Sequence, residues 1–198
     1  GNFELDEISF VNNTLKDGDV FIDIGSNIGL FSLIASNLVG RNGKVISFEP
    51  SPKTFKRLEE NIELNELQNV KLNNIGLSDK KGTLKLHVSE NGHDAWDTFA
   101  TDINNIKYQN SIEVNINTLD NEIENIGVNN IKLIKIDVEG WEKFVLLGAI
   151  ETIKKFSPIL LIEFTAENTE NAGYNVLEIY DIVTNLGYRW YRYKKNKL

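Results

Sequence analysis

Two rhythms of apolar residues alternate along the first part of the chain, and together they outline a fold. Val20-Phe21-Ile22-Asp23-Ile24 is too apolar for a half-exposed strand and too short for a helix, so it predicts a strand covered on both faces. Gly25-Ser26-Asn27-Ile28-Gly29 follows, and then a helical pattern whose inner face is predicted to be Ile28, Phe31, Leu33, Ile34 and Leu38. Gly40 and Gly43 stop it. Lys44 to Glu49 predicts a second covered strand. Ser51 before Pro52 predicts an N-cap and a first helical position, and Phe55, Leu58 and Ile62 give the buried side of a helix over 52–65. Val70 to Leu77 predicts a third strand. The order β-α-β-α-β marks an α/β fold with a doubly wound, mostly parallel sheet. Ahead of it, apolar positions between Phe3 and Asn13 suit an amphipathic helix, and Lys16-Asp17-Gly18-Asp19 a turn.

The rhythm then changes. Thr83 to Val88 and Ile112 to Ile116 alternate with a period of two, predicting an inserted antiparallel strand pair near residues 82–117. Between them, Ser89 to Asn110 is polar with a few aromatics, a length that predicts either a functional loop or disorder. Thr118 caps a short helix over 119–126, and Ile131 to Asp137 returns to a core strand. A helix is predicted from Gly140-Trp141-Glu142 to Phe156, a fifth strand over 159–163, a helix over 175–186 and a last strand over Tyr188–Tyr193. One domain accounts for all of this.

Composition narrows the partners. The chain has 198 residues, 41% hydrophobic and 25% charged, with a net charge of −8. That balance argues against nucleic acid, which calls for a basic stripe. The cluster Arg189, Arg192, Lys194, Lys195, Lys197 reads as a solvated tail. There is no cysteine, which fits a reducing, cytoplasmic setting, and no run approaches a membrane span. There is also no methionine, so the chain reads as processed or trimmed.

The candidate chemistry lies where strands end. Asp23, Glu49, Asp137 and Glu163 stand at or near the carboxyl ends of four predicted strands, around the crevice where a doubly wound sheet binds ligands. Each alone could be a solvated strand end; several converging on a glycine turn are harder to dismiss. Glu49 comes 20 residues after Gly29, where an acid can accept hydrogen bonds from a ribose diol. Such an acid fits both dinucleotides and S-adenosylmethionine. The turn separates them. A pyrophosphate needs a middle glycine, whereas this turn has Ser26 and Asn27 there and Asp23 in front. A carboxylate repels pyrophosphate and attracts a sulfonium that carries an ammonium group. An NAD-linked oxidoreductase is therefore the weaker alternative.

Four motifs in order, Asp23-Ile-Gly-Ser-Asn-Ile-Gly-Leu-Phe-Ser, Ser47-Phe-Glu-Pro-Ser-Pro, Gly76-Leu-Ser-Asp and Lys135-Ile-Asp-Val-Glu-Gly-Trp-Glu, with Pro158-Ile-Leu-Leu-Ile-Glu163 as a fifth, resemble the FkbM family of S-adenosylmethionine-dependent methyltransferases. The resemblance runs from about residue 15 to residue 164. It implies a Rossmann-like class I methyltransferase fold and O-methylation of a hydroxyl on a sugar, glycan or other natural product. On this reading residues 1–14 form an N-terminal helix, 15–164 the cofactor-binding core, and 165–198 a closing helix and strand, with either the usual last strand missing or Tyr188–Tyr193 ending a shortened sheet. The resemblance implies that Asp23, Gly25, Ser26, Asn27 and Gly29 line the methionine end of the cofactor. Glu49 would hold the ribose, with Ser51 beside the adenosine. Ser78 and Asp79 would flank the adenine, and Asp137 would face the methyl group, the cofactor amine or the acceptor.

An alcohol acceptor must lose its proton to a base within hydrogen-bond reach. The candidates are Asp137, Glu139, His93 and Glu163. Asp137 could instead bind the cofactor ammonium, and Glu139 could be a helix-start carboxylate favoured by the dipole. His93 lies in Asn91 to Thr98 with Asp94 and Trp96, a stretch that suits an acceptor lid. Trp141 also reads as helix-to-sheet packing. No His or carboxylate cluster has metal-ligand spacing, so a metal-independent reaction is expected. A non-catalytic module that binds S-adenosylmethionine is the remaining alternative.

Overall fold

The computed structural model describes residues 5–88, 98–99 and 110–194. In chain order the elements are α1 (Leu5–Thr14), β1 (Val20–Ile24), α2 (Leu30–Val39), β2 (Lys44–Phe48), α3 (Pro52–Leu64), β3 (Val70–Asn73), β4 (Gly76–Leu77), β5 (Gly82–Val88) and β6 (Asn110–Asn117). They continue with α4 (Leu119–Ile126), β7 (Leu133–Ile136), α5 (Glu142–Leu147), α6 (Ile150–Phe156), β8 (Ile159–Ile162), α7 (Ala166–Asn171) and α8 (Leu177–Asn185).

Five strands form a parallel sheet in the order β3-β2-β1-β7-β8, so the order reverses between β1 and β7. Alternation along each strand divides the core. Ile22, Ile24, Ile46, Phe48, Ile134 and Ile136 meet α4, α5, α6 and α8. Phe21, Val45 and Leu133 meet α1 and α2 on the other face. Helices on both sides explain why these strands are mostly apolar, with Asp23, Ser47 and Lys135 as buried exceptions. Phe21 and Ile22 are wholly buried, and truncating either to alanine costs about 2–5 kcal/mol.

The inserted pair is present: β5 and β6 run antiparallel from Gly82↔Ile116 to Val88↔Asn110. Their inner residues, Leu86, Val114 and Ile116, enclose Phe99 in a small second core, and Trp141 joins it to the main one.

Several elements differ from expectation. The third strand over 70–77 divides: β3 stays in the main sheet, while Gly76 and Leu77 leave it to pair with β6. The helix over 140–156 is broken into α5 and α6 at Gly148-Ala149. A side chain at Gly148 would lie 2.0 Å from the Ser78 carbonyl, so the break lets two backbones touch. Asp120 then caps the second piece, accepting from Thr152 N–H at 2.7 Å and Glu151 N–H at 3.2 Å. The inner face of α2 is Phe31, Ser32, Ala35, Ser36 and Val39, with Ile34 and Leu38 at its margin and Ile28 exposed. Ser51 sits at the N-cap of α3 without a capping hydrogen bond, its hydroxyl accepting from Thr54 instead. Helix α7 was not anticipated.

The strand expected over Tyr188–Tyr193 is absent. The segment is held by side chains rather than a ladder: Tyr188 OH donates to Pro158 O at 2.8 Å, Trp190 packs on Phe164 and Tyr180, and Tyr193 packs edge-on against Phe10. Among the described residues β8 is therefore the last strand of the sheet. No helix among them is long and apolar enough to cross a membrane.

Candidate functional site

The strand order reverses between β1 and β7, which is where a doubly wound sheet opens its ligand crevice. The turn after β1 is closed by a dense set of bonds. Gly25 and Ser26 N–H both donate to Phe48 O at 3.0 Å, and Gly29 N–H donates to Ser26 O at 2.8 Å. The buried Ser26 hydroxyl donates to Asp23 O at 2.7 Å and accepts from Phe48 N–H at 3.1 Å. That hydroxyl shapes the turn rather than facing outward. Gly25 has φ +77°, and a Cβ there would lie 1.8 Å from Asp137 O. Only glycine lets the two strand ends meet this closely. Asn27 is left-handed as well, with φ 49°.

Glu49 stands just past β2 and is buried. Its Oε2 accepts from Asn27 N–H at 3.0 Å and its Oε1 from Ser51 N–H at 2.9 Å. Asn74, on the far side, donates to Glu49 O at 2.8 Å. One carboxylate thus ties the glycine turn to the start of α3.

Asp23 is 1% exposed and points toward α2, where Ser32 Oγ donates to its Oδ2 at 2.6 Å. Ser32 also shares a hydrogen bond with Ser47 at 2.8 Å. The other Asp23 oxygen, Oδ1, is buried with no partner. Burial pushes its carboxyl above the ordinary range, while Lys135 and Ser32 pull it back. An unsatisfied buried carboxylate oxygen is costly, and it is the kind of acceptor an ammonium group would satisfy.

Across the crevice, Lys135 Nζ donates to Asp137 Oδ2 at 2.8 Å. Glu139, two residues on, is held at φ 49°. Asn168 of α7 donates to its Oε2 at 2.6 Å, and Thr98 Oγ1 donates to its backbone carbonyl at 2.7 Å. Burial, reinforced by the charges of Asp137, Glu142 and Glu163, pushes Glu139 up to about 7. Glu142 is fully buried, accepting from Gly140 N–H at 3.0 Å and Tyr174 OH at 3.2 Å; burial raises it too. Glu163, at the end of β8, is raised by partial burial and by Asp137.

Ser78 and Asp79 lie one step away, just past β4. Ser78 is buried, accepts from Trp141 Nε1 at 3.1 Å and donates to exposed Asp79 at 3.1 Å. Trp141 stacks on Phe144 with centroids 4.0 Å apart, so its packing role is evident. The buried Ser51 hydroxyl is occupied by Thr54. His93, with Asp94 and Trp96, lies outside the described residues. Among the described residues no group of three or more His, Asp or Glu could hold a metal ion.

Sequence reading missed Lys135, Glu142, Asn168 and Tyr174. A usable signal existed for Lys135 alone, a lysine on the covered face of an otherwise apolar strand.

A family model described as the methyltransferase FkbM domain matches residues 23–190. The chain is 28% identical over 158 residues to the hexuronic acid methyltransferase AglP of Haloferax volcanii, covering 80% of this chain and 61% of that one. It is 28% identical over 151 residues to the 2-O-methyltransferase NoeI of Sinorhizobium fredii, covering 71% and 61%. The chain spans about 61% of the length of these curated relatives. Among solved structures, an FkbM methyltransferase from Methylobacillus flagellatus matches with TM-score 0.56 and 14% identity, over 89% of this chain and 44% of that one. An S-adenosylmethionine-dependent methyltransferase from Aquifex aeolicus matches with TM-score 0.52 and 17% identity, over 96% and 84%. These two likenesses concern the fold.

Proposed function

This chain belongs to the FkbM methyltransferase family, and on that footing we propose that it moves a methyl group from S-adenosylmethionine to a hydroxyl of a sugar, glycan or similar small molecule. The observation that carries the reading is the crevice itself. A glycine turn is pinned by Glu49 on one side, pressed against Asp137 on the other, and backed by a buried Asp23 with one oxygen unsatisfied. That donor set suits a cationic nucleoside and would repel a pyrophosphate.

When bound, S-adenosylmethionine supplies an electrophilic methyl group on a sulfonium. The chain's own residues bind and orient. Glu49 offers acceptors to the ribose hydroxyls. Asp23 and Asp137 supply negative charge for the ammonium and sulfonium. Gly25, Asn27 and Gly29 give the turn its shape, with Ser26 and Ser51 bracing it. Asp79, next to Ser78, stands at the adenine end.

Glu139 is the base this reading favours. A carboxyl titrating at about 7 can take a proton from an alcohol near neutral pH. Asn168 fixes its orientation. Asp137 is the alternative base, and its bond to Lys135 favours the cofactor role. The names of the two relatives support a sugar-like acceptor, with a hexuronic acid and a 2-hydroxyl as the first candidates.

The test is a methyl-transfer screen on uronic acids, hexoses and other polyols, read by release of S-adenosylhomocysteine. Release with a sugar hydroxyl is the expected result. Cofactor binding without turnover on any hydroxyl would instead support a non-catalytic module.

A further inference from the structure

We propose that Lys135 is a positioning residue of the cofactor site: its buried ammonium fixes the Asp137 carboxylate at the crevice and sets a positive charge beside Asp23 behind the glycine turn, so that a cationic ligand meets both acids held in place. The inference rests on the cofactor assignment proposed above.

Lys135 lies in the interior of β7, with Leu133, Ile134 and Ile136 around it, and is 3% exposed. Taking an ammonium out of water costs several kcal/mol, and a well-packed apolar residue there would serve stability as well or better. The surroundings of the ammonium point to another task. In the parallel register Lys135 is directly beside Asp23, so both side chains face α2. Its Nζ is 2.8 Å from Asp137 Oδ2 and 4.6 Å from the centre of the Phe31 ring. Asp137 is held by one oxygen only; among the described residues its Oδ1 accepts no hydrogen bond, and the side chain keeps 22% of its exposure.

The charges facing this ammonium come from three strands. Asp23 is on β1, Asp137 follows β7, and Glu163 follows β8. Helix α2, packed over the cluster, carries no charged residue. Glu7 of α1 acts on Glu163, and Glu139 feels Asp137. Among the described residues Lys135 thus pairs with Asp137 and adjoins Asp23, and Glu163 feels its charge. The negative surplus suits a ligand bearing a sulfonium and an ammonium. Without the lysine the surplus would grow in a poorly solvated place, and burial would push Asp23 and Glu163 further toward their protonated forms. Neutral acids would no longer attract a cation.

The experiment is calorimetric titration with S-adenosylmethionine as a function of pH, on the wild type, Lys135→Met and Lys135→Arg. The wild type should lose affinity on the acid side as Asp23, raised by burial, protonates. In Lys135→Met that acid limb should move up by about 1–3 pH units, whereas Lys135→Arg, which keeps a cation, should hold it near the wild-type position. An unmoved limb in Lys135→Met, or an equal displacement in both variants, overturns the proposal. If Lys135→Met does not fold, the wild type still decides. In protein labelled with ¹⁵N-lysine, the Lys135 Nζ resonance should shift when S-adenosylmethionine binds, and an unchanged resonance at saturation overturns the proposal. A wild type that binds no cofactor at any pH would refute the cofactor assignment itself, a separate result.

Discussion

Replacing Gly25 with alanine attacks the point where the two halves of the crevice touch. The new Cβ would stand 1.8 Å from Asp137 O and 2.9 Å from its carbonyl carbon. Real Cβ contacts essentially never fall below 3.0 Å and ordinary ones begin at 3.4 Å, so the loop after β7 must retreat by about 1.2–1.6 Å. Alanine must also accept φ +77°, a left-handed conformation costing about 1–2 kcal/mol. Together these predict a loss of about 2 kcal/mol in stability, or about 4–8 °C in melting temperature for a chain of this size. Function should suffer more, because a shift of about 1 Å in positioning groups costs about 100-fold. Glu49, bound to the turn, and Asp137, facing it, would both be displaced from a ligand lying between them. The assay pairs thermal unfolding with calorimetry using S-adenosylmethionine. Gly18→Ala is the control: its φ is +86°, with nothing within 4 Å of the added Cβ. It should lose only the backbone part, about 1–2 kcal/mol, and keep its affinity. A folded Gly25→Ala protein that binds the cofactor as tightly as the wild type would refute the reasoning.

Glu139→Gln should abolish the rise of methyl-transfer rate through about pH 7 and lower the plateau by about 100-fold or more, read in a pH–rate profile. The same substitution should stabilise the fold. The carboxyl is raised from 4.5 to about 7 in the folded state, so the native form holds more protons than the unfolded one in that window. Wild-type stability therefore falls as pH rises through it. The melting advantage of Glu139→Gln should be largest above about pH 7 and vanish toward pH 4.5. Glu49→Ala removes the acceptor of two backbone N–H groups; cofactor affinity should fall at least about 10-fold, equivalent to about 1.4 kcal/mol, by calorimetry. Asp120→Ala removes the cap of α6 and should cost about 1 kcal/mol, seen as a drop of about 2–4 °C in melting temperature, with turnover unchanged.

Much of this was legible because it depends on local rules. Covered strands such as Phe21 to Ile24 announce themselves by an apolar run ending at glycine, and Asp23 stood out as a charge within it. The distance of Glu49 from Gly29 puts its carboxylate beside the turn, where it meets Asn27 N–H, and β5 and β6 show in their two-residue alternation. What escaped notice depends on distant contacts. The break at Gly148 exists because Ser78, far away in the chain, comes against it, and no periodicity encodes that. Tyr188 to Tyr193 has strand-forming residues, but aromatic side chains anchor the segment without a ladder. The inner face of α2 was misassigned because Ser32 and Ser36 look polar in sequence. One answers Asp23 and Ser47, the other Asn69. Asn168 reaches Glu139 from a helix with no apolar stripe to betray it.

The central claim is that the crevice between β1 and β7 holds S-adenosylmethionine. A crystal structure with S-adenosylhomocysteine tests it most directly. The account predicts the ribose diol within hydrogen-bond distance of Glu49 and the ammonium group beside Asp23 or Asp137. A ligand bound elsewhere, or with its ribose turned away from Glu49, would contradict it.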